Sequence, residues 1–222
     1  MLTDIIRAYN EAVFETDKES AFRVVEEALA KGLTPEEVVF KVVIPAVEEM
    51  MSLITKDPDA NLAQHFMTAQ IASEVTDRML AKFQHPPQTL GRVVIGTAAG
   101  DLHSLGKRIV TGCLKSLMVE VTDLGVNVPA ERFVDGALAA DAQVIGISAM
   151  MVHTATGPDG CLKVRRLLRD RGLEGRCKIV VGGAPYRFDG ELYKSVGADA
   201  WAADGIAAGR VIVDLIREVK PS

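Results

Sequence analysis

Residues 92–117 of this 222-residue chain read RVVIGTAAGDLHSLGKRIVTGCLKSL. The apolar run at 92–96 predicts a buried strand, and the apolar residues of 106–117 recur at the spacing of one helix face. A loop that contains glycine, aspartate and histidine connects the two. The stretch is therefore a strand–loop–helix unit, and the rest of the fold follows from how often that unit recurs.

The same unit recurs four times after residue 117. Further strands are predicted at 119–123, 144–148, 179–181 and 198–202, and they alternate with helices predicted at 130–140, 161–171, 188–196 and 205–218. Five such units predict an α/β domain of the flavodoxin-like (Rossmann-like) type, a five-stranded parallel sheet with helices on both faces. Ligands of such sheets bind beyond the carboxyl ends of the strands. The loops after strands one, three and four are therefore the candidate site.

The first 85 residues have a helical period and almost no strand signal. Asp17 or Ser20 is predicted to open a helix that ends near Lys31-Gly32, and Thr34 followed by Pro35 is predicted to start the next. With a first helix near the N-terminus and a long one at 61–83, the region is a predicted four-helix bundle. Paired prolines then stiffen the chain. We therefore predict a helical domain at 1–85, a linker at 86–90 and an α/β domain at 91–222.

Composition and charge exclude several classes of function. Charged residues make up 25% of the chain, the formal net charge is −5, and no basic stripe suited to nucleic acid is present. The apolar runs are too short to cross a bilayer, and the N-terminus does not resemble a signal peptide. Three isolated cysteines indicate reduced thiols. We expect a cytoplasmic protein with no nucleic-acid or membrane partner.

The loop after the first predicted strand contains Asp101 and His103. Residues two apart in an extended loop project to the same side, so both side chains can contact one object. An imidazole that ligates a metal through one nitrogen usually donates its other N–H to a carboxylate. On this spacing alone two interpretations stay open: a metal ligand with its carboxylate partner, or a capping aspartate beside a surface histidine.

Two further loops fall at the same predicted edge of the sheet. Ser148-Ala149-Met150-Met151-Val152-His153-Thr154 follows the third strand and is rich in hydroxyls and flexible apolar side chains. Gly182-Gly183-Ala184-Pro185 follows the fourth, and its glycine pair indicates a backbone that passes close to another group. Each is also compatible with an ordinary turn. Three such loops at one edge favour a ligand site.

These motifs carry a family resemblance. Asp101-Leu102-His103-Ser104-Leu105-Gly106 resembles the Asp-x-His-x-x-Gly signature of cobalamin-binding domains. Asp123-Leu124-Gly125-Val126-Asn127-Val128-Pro129 is similar to a second stretch found in methionine synthases and in corrinoid proteins of methyltransferase systems. Ser148 and Gly182-Gly183 stand where the family has its later motifs, and residues 1–85 resemble its helical cap. The resemblance covers nearly the whole chain.

The resemblance implies that the chain binds cobalamin with His103 as the lower cobalt ligand, in place of the cofactor's own dimethylbenzimidazole. Asp101 would accept the other imidazole N–H and Thr154 would contact that aspartate, so these three are the expected catalytic group. The displaced nucleotide tail would lie in a slot lined by Gly106, Ser148, Gly182 and Gly183. The other expected cofactor contacts are Leu102, Ser104, Leu105, Met150, Val152, His153 and Ala184, with His65 and Phe66 from the cap.

Two positions leave alternatives open. Val152-His153 occurs where carriers of this family often have threonines, so His153 is either a replacement cofactor contact or a surface histidine. His65 and Phe66 belong to a broad apolar helix face, which is either bundle core or a shield for the methyl group. Gln64-His65 is also similar to the cap histidine that ligates the upper cobalt face in B12-dependent light-sensing regulators.

The function implied is that of a methyl carrier that alternates between methylcobalamin and cob(I)alamin and is not catalytic alone. The chain has no room for a substrate barrel of about 250 residues. The expected partners are a substrate-specific methyltransferase, a second methyltransferase whose acceptor is tetrahydrofolate or a thiol, and a reductive activase. The alternatives are a cobalamin-binding sensor or regulatory protein and the small subunit of an adenosylcobalamin-dependent mutase, although a helical cap disfavours the mutase.

Overall fold

A computed structural model describes residues 2–54, 62–83 and 89–219. The chain divides into two compact units: a helical unit of Met1–Gln88 with Gly112–Met118, and a sheet unit of Thr89–Thr111 with Val119–Ser222. Residues 86–88 of the predicted linker lie outside the described residues, so the predicted domain boundaries stay predictions. Among the residues described, no helix is long and apolar enough to cross a membrane.

Four helical segments form the main part of the helical unit, as predicted. Asp17 caps the second through a bond from the Ser20 N–H to its carboxylate (2.9 Å), and Thr34 forms a reciprocal capping box with Glu37. The predicted break at 57–59 lies outside the described residues. The elements are α1 (Leu2–Phe14), α2 (Lys18–Ala30), α3 (Pro35–Val38) continuing through a π-helical turn (Val39–Val43) into α4 (Ile44–Ile54), and α5 (Leu62–Leu80).

Side chains of α5 bind the last carbonyl groups of α1. The buried Thr68 hydroxyl donates to the Val13 carbonyl oxygen (2.8 Å), and the Gln64 amide donates to the carbonyl of Phe14. The last carbonyl groups of a helix have no partner within the helix itself. These two bonds therefore supply partners at the end of α1 and tie α5 to it.

The sheet unit is built on five parallel strands in the order β2-β1-β3-β4-β5, which is the flavodoxin-like order. The predicted fold class is confirmed. The C-terminal half of α6 groups with the helical unit. The elements are β1 (Gly91–Ala98), α6 (Leu105–Ser116), β2 (Val119–Val128), α7 (Ala130–Ala140), β3 (Val144–Ser148), α8 (Val152–Thr156), α9 (Cys161–Asp170), β4 (Lys178–Gly182), α10 (Ala184–Phe188), α11 (Leu192–Ser195), β5 (Ala200–Ala202) and α12 (Gly205–Val219).

Three local predictions differ from the structure. The single helix predicted at 188–196 is wrong, because the chain forms α10 and α11 with a turn between them, where the Asp189 carboxylate accepts the Glu191 N–H (2.9 Å). The segment after β3 is a loop only as far as Met151, since α8 follows it. Finally, β2 does not end at residue 123 but continues to Val128.

The strand register aligns the ends of three strands. Thr97 of β1 pairs with Ser148 of β3, and Ser148 pairs with Gly182 of β4. The three following loops therefore start from one level at the carboxyl edge of the sheet, which is where the sequence predicts a site.

Candidate functional site

The Asp101 carboxylate joins two of these loops. Its side chain is 0% exposed. The Oδ1 atom accepts the His103 backbone N–H (2.9 Å) and lies 2.9 Å from His103 Nδ1. The Oδ2 atom accepts the Met150 backbone N–H (2.6 Å) and lies 3.0 Å from the Thr154 hydroxyl. The three residues expected to be catalytic are thus in one hydrogen-bonded group, and Met150 joins it through its backbone.

Hydrogen bonds outweigh burial in setting the pKa of Asp101. Burial acts to raise this pKa, because it penalises the charged carboxylate. The bonds from the Met150 and His103 backbone, and from the His103 and Thr154 side chains, act in the opposite direction, and the net result is a pKa below the usual carboxyl range. Asp101 is therefore a carboxylate anion at neutral pH.

The His103 side chain is 57% exposed, although its partner Asp101 is fully buried. A carboxylate can only accept hydrogen bonds, so the contact to Asp101 places a proton on Nδ1. In the neutral imidazole that leaves the lone pair on Nε2. The ring is therefore held in the tautomer that can ligate a metal through Nε2.

The Thr154 hydroxyl has two acceptors and one proton. Its Oγ1 atom lies 3.0 Å from Asp101 Oδ2 and 2.9 Å from the Met151 carbonyl oxygen. A hydroxyl donates one hydrogen bond and accepts others. With Asp101 ionised it can donate to the carboxylate. If Asp101 takes up a proton, Thr154 can accept from Asp101 and donate to Met151 instead.

Exposed apolar side chains lie close to His103 in sequence and in the segment that follows β3. Four large ones are exposed, and Leu102 has 70% of its surface accessible. Soluble proteins rarely leave large contiguous apolar surface uncovered unless it binds something. These side chains suit a broad apolar ligand that covers the His103 loop. They are Leu102, Leu105, Met150 and Val152.

The glycines of the site differ in how much space a Cβ atom would have. Gly183 has φ +123°, and a Cβ there would come within 1.9 Å of the Ala149 carbonyl oxygen. The close neighbour that the glycine pair indicated is therefore protein backbone at Gly183. A Cβ at Gly182 would make an ordinary contact of 3.5 Å with the Ala202 oxygen, and one at Gly106 would meet nothing within 4 Å. The fold therefore requires glycine at position 183, whereas a side chain at Gly106 or Gly182 would meet no protein atom at a forbidden distance.

The other expected contact residues lie at varied depths. Ser104, Ser148 and Ala184 are half-buried, and His153 is exposed on α8. Phe66 is half-buried on α5 of the helical unit, and the His65 side chain lies outside what the structure describes.

Sequence reasoning missed three groups at this site. The Thr97 hydroxyl donates to the Asp101 carbonyl (2.5 Å), and the Asn127 side-chain oxygen accepts the Gly100 N–H (2.7 Å). The buried Lys107 ammonium binds the Asp123 carboxylate. Asn127, Asp123 and Lys107 lie in or beside the quoted motifs, but their spacing in the sequence did not indicate these contacts.

Comparison with known proteins gives consistent matches. A family model described as a B12 binding domain matches residues 91–209. Trimethylamine corrinoid protein 1 of Methanosarcina mazei is 32% identical over 221 residues, which cover 98% of this chain and 96% of that protein. Dimethylamine corrinoid protein 3 of Methanosarcina acetivorans is 33% identical over 202 residues, covering 89% and 90% respectively.

A solved structure shows the same fold. A chain in the crystal structure of the methanol:cobalamin methyltransferase complex MtaBC from Methanosarcina barkeri superimposes with a TM-score of 0.79 at 21% identity. The match covers 96% of this chain and 80% of that chain.

Replacing Asp101 by Asn should lower the free energy of unfolding by about 1–3 kcal/mol at pH 7, because the amide NH₂ must face a backbone N–H of His103 or Met150. The lowered pKa of Asp101 sets the pH dependence. Its stabilising contribution is present above the unfolded carboxyl pKa of about 3.9 and is lost as the pH falls through the folded value. Urea unfolding at several pH values should therefore show the difference narrowing below about pH 4. A constant difference down to pH 3 would contradict this.

Alanine at Gly183 and at Gly106 should have opposite consequences. Gly183→Ala should destabilise the sheet unit by about 2 kcal/mol or more, since it adds a clash with Ala149 at a φ value suited to glycine. Gly106→Ala, the matched control, should leave stability unchanged or raise it by up to about 1 kcal/mol, because Gly106 lies within α6. Thermal unfolding without cofactor measures both. Equal midpoints for the two variants would refute the distinction.

Proposed function

The chain belongs to the cobalamin-binding corrinoid proteins of methyltransferase systems, and on this premise we propose that it is a methyl carrier with His103 as the lower cobalt ligand. Cobalamin is its cofactor. The observation that carries the proposal is the Asp101–His103 pair, in which a buried carboxylate contacts Nδ1 of a well-exposed imidazole at 2.9 Å.

The residues present fit the cofactor. When bound, cobalamin supplies a cobalt that accepts and releases a methyl group. His103 would contribute Nε2 to that cobalt, and Asp101 would fix the ring orientation and tautomer through Nδ1. The exposed apolar side chains beside His103 would pack against the corrin. Gly106 and Gly182 have room for the nucleotide tail where a side chain would otherwise lie.

The contacts of Asp101, including that to Thr154, would hold its carboxylate in place while His103 changes partner. Asp101 receives two N–H donors from backbone groups, which do not depend on the state of the imidazole. Thr154 can donate to the carboxylate or to the Met151 carbonyl. We infer that Asp101 keeps its position whether the Nε2 atom of His103 carries a metal bond, a lone pair or a proton.

The relatives support a proposal for the methyl donor and the partners. Corrinoid proteins named for trimethylamine and dimethylamine align with this chain over 98% and 89% of its length. We propose a methylated amine as the donor class, transferred by a substrate-specific methyltransferase. A second methyltransferase would remove the methyl group to tetrahydrofolate or a thiol, and a reductive activase would restore the reduced cofactor. The alternative of a light sensor depends on His65, whose side chain is not described.

Replacing His103 by Gly should leave cobalamin bound but remove a protein nitrogen from cobalt. Protein labelled with ¹⁵N in its imidazole rings would be loaded with cob(II)alamin and examined by electron paramagnetic resonance. Wild-type protein should show coupling to ¹⁵N, and His103→Gly should lose it. Adding unlabelled free imidazole to the variant should then give coupling to ¹⁴N of the added ring. His153→Gly is the matched control, because His153 is also exposed at this sheet edge. Coupling that persists in His103→Gly, or disappears in His153→Gly, would overturn the ligand assignment.

The cobalamin-loaded chain should accept methyl groups only in the presence of a partner methyltransferase. The protein that co-purifies with the loaded chain would be identified, and the pair would be given trimethylamine, dimethylamine, monomethylamine or methanol. Methylation of cob(I)alamin would be measured through the change in its absorption spectrum. We expect at least one amine to methylate it, at a rate at least about tenfold above the rate with methanol. Preference for methanol would contradict the donor class, and methylation without a partner would contradict the carrier role.

A further inference from the structure

We propose that Asn127 is a positioning residue for the Asp101–His103 pair, acting with Thr97. The inference rests on the proposed function only in so far as His103 ligates cobalt. Among the hydrogen bonds of the described residues, none joins Asn127 to the Asp101 carboxylate or to the His103 ring. It acts instead on the backbone that carries them.

Two irregularities in β2 bring Asn127 to this place. Ile95 pairs with Asp123 and Gly96 with Gly125, so β2 has one extra residue there, and it gains another before Ala98 pairs with Val128. Extra residues of this kind form β-bulges, which redirect side chains and are frequent next to active sites. Asn127 lies within the second irregularity and has φ +53°, a left-handed conformation that asparagine tolerates better than most residues.

The contacts of Asn127 hold the peptide groups on either side of the Gly100–Asp101 peptide. Its side-chain oxygen accepts the Gly100 N–H at 2.7 Å. Its own backbone N–H lies 2.9 Å from both the Asp101 carbonyl oxygen and the Thr97 hydroxyl oxygen, and Thr97 donates to the same carbonyl at 2.5 Å. Thr97 is fully buried. The backbone of Asp101 is thereby fixed on one side and its carboxylate on the other.

This double attachment determines where the carboxylate lies. Gly100 has φ +82°, and as a glycine its backbone has more freedom than that of other residues. The Gly100 N–H belongs to the Ala99–Gly100 peptide, so without its acceptor that peptide can rotate at Gly100 and shift the Asp101 carboxylate away from His103 Nδ1. The ring would then be free to move its proton from Nδ1 to Nε2, the nitrogen needed for cobalt.

The experiment removes the hydrogen-bonding groups of Asn127 and Thr97 one at a time. Asn127→Gly keeps a residue suited to positive φ and the backbone N–H but lacks the side-chain oxygen, whereas Asn127→Asp keeps an acceptor. Thr97→Val removes the hydroxyl at nearly constant shape, whereas Thr97→Ser keeps it. In cobalamin-free protein with ¹⁵N-labelled histidine, the ring nitrogen shifts at a pH where His103 is neutral give its Nδ1–H to Nε2–H ratio. We expect the ratio to fall about fivefold in Asn127→Gly and Thr97→Val, as for the loss of one hydrogen bond, and to stay within twofold of wild type in the other two.

Three results would overturn the proposal. The first is an unchanged ratio in Asn127→Gly and Thr97→Val. The second is an equal fall in Asn127→Asp. The third is that Asn127→Gly and Thr97→Val both fail to fold, or that both lose hydrogen-exchange protection at the buried Ile145 amide to the same extent as at the His103 loop. Either result would mean that Asn127 and Thr97 stabilise the sheet as a whole. In wild-type protein loaded with cob(II)alamin, absence of ¹⁵N coupling would refute His103 as ligand, while the tautomer ratio would still decide the role of Asn127.

Discussion

The site depends on one buried anion, the carboxylate of Asp101. An ionised group removed from water is very unfavourable unless hydrogen bonds replace its hydration. Here four donors do so, two of them backbone N–H groups of His103 and Met150. Because Met150 and Thr154 lie on the segment after β3, satisfying this charge also fixes that segment against the loop after β1. The arrangement of the site is thus a consequence of solvating one carboxylate from within the protein.

The sheet makes that arrangement possible because its register brings the strand ends to one level. Thr97, Ser148 and Gly182 are neighbours across β1, β3 and β4. The backbone at Gly183 can then approach the Ala149 carbonyl so closely that no Cβ fits between them. A parallel sheet supplies the common edge, and close backbone packing between loops supplies the precision that a metal ligand needs.

A sequence shows the identity and the periodicity of side chains. Features that depend on these two properties could be predicted here, and features that depend on the backbone in the folded chain could not. The five strands and the Asp101–His103 relation were predictable, because they depend on apolar runs and on spacing within one loop. The Met150 N–H was not, since every residue has one and only the fold selects it. Asn127 was quoted within a motif but received no role, because its position depends on irregular pairing of β2. The prediction of one helix at 188–196 was wrong because Asp189 forms a turn that separates α10 from α11.

In the proposed function, the groups that would retain the cofactor differ from the group that would change during its chemistry. The apolar side chains beside His103 lose water-exposed surface when a ligand covers them, at about 25 cal/mol per Å². That free energy does not depend on a bond between cobalt and Nε2. The two backbone N–H groups that bind Asp101 likewise do not depend on that bond. In the proposed function, His103 would therefore gain and lose its metal contact without loosening either the loop that carries it or the surface proposed to hold the corrinoid, as a carrier that passes between two partners requires.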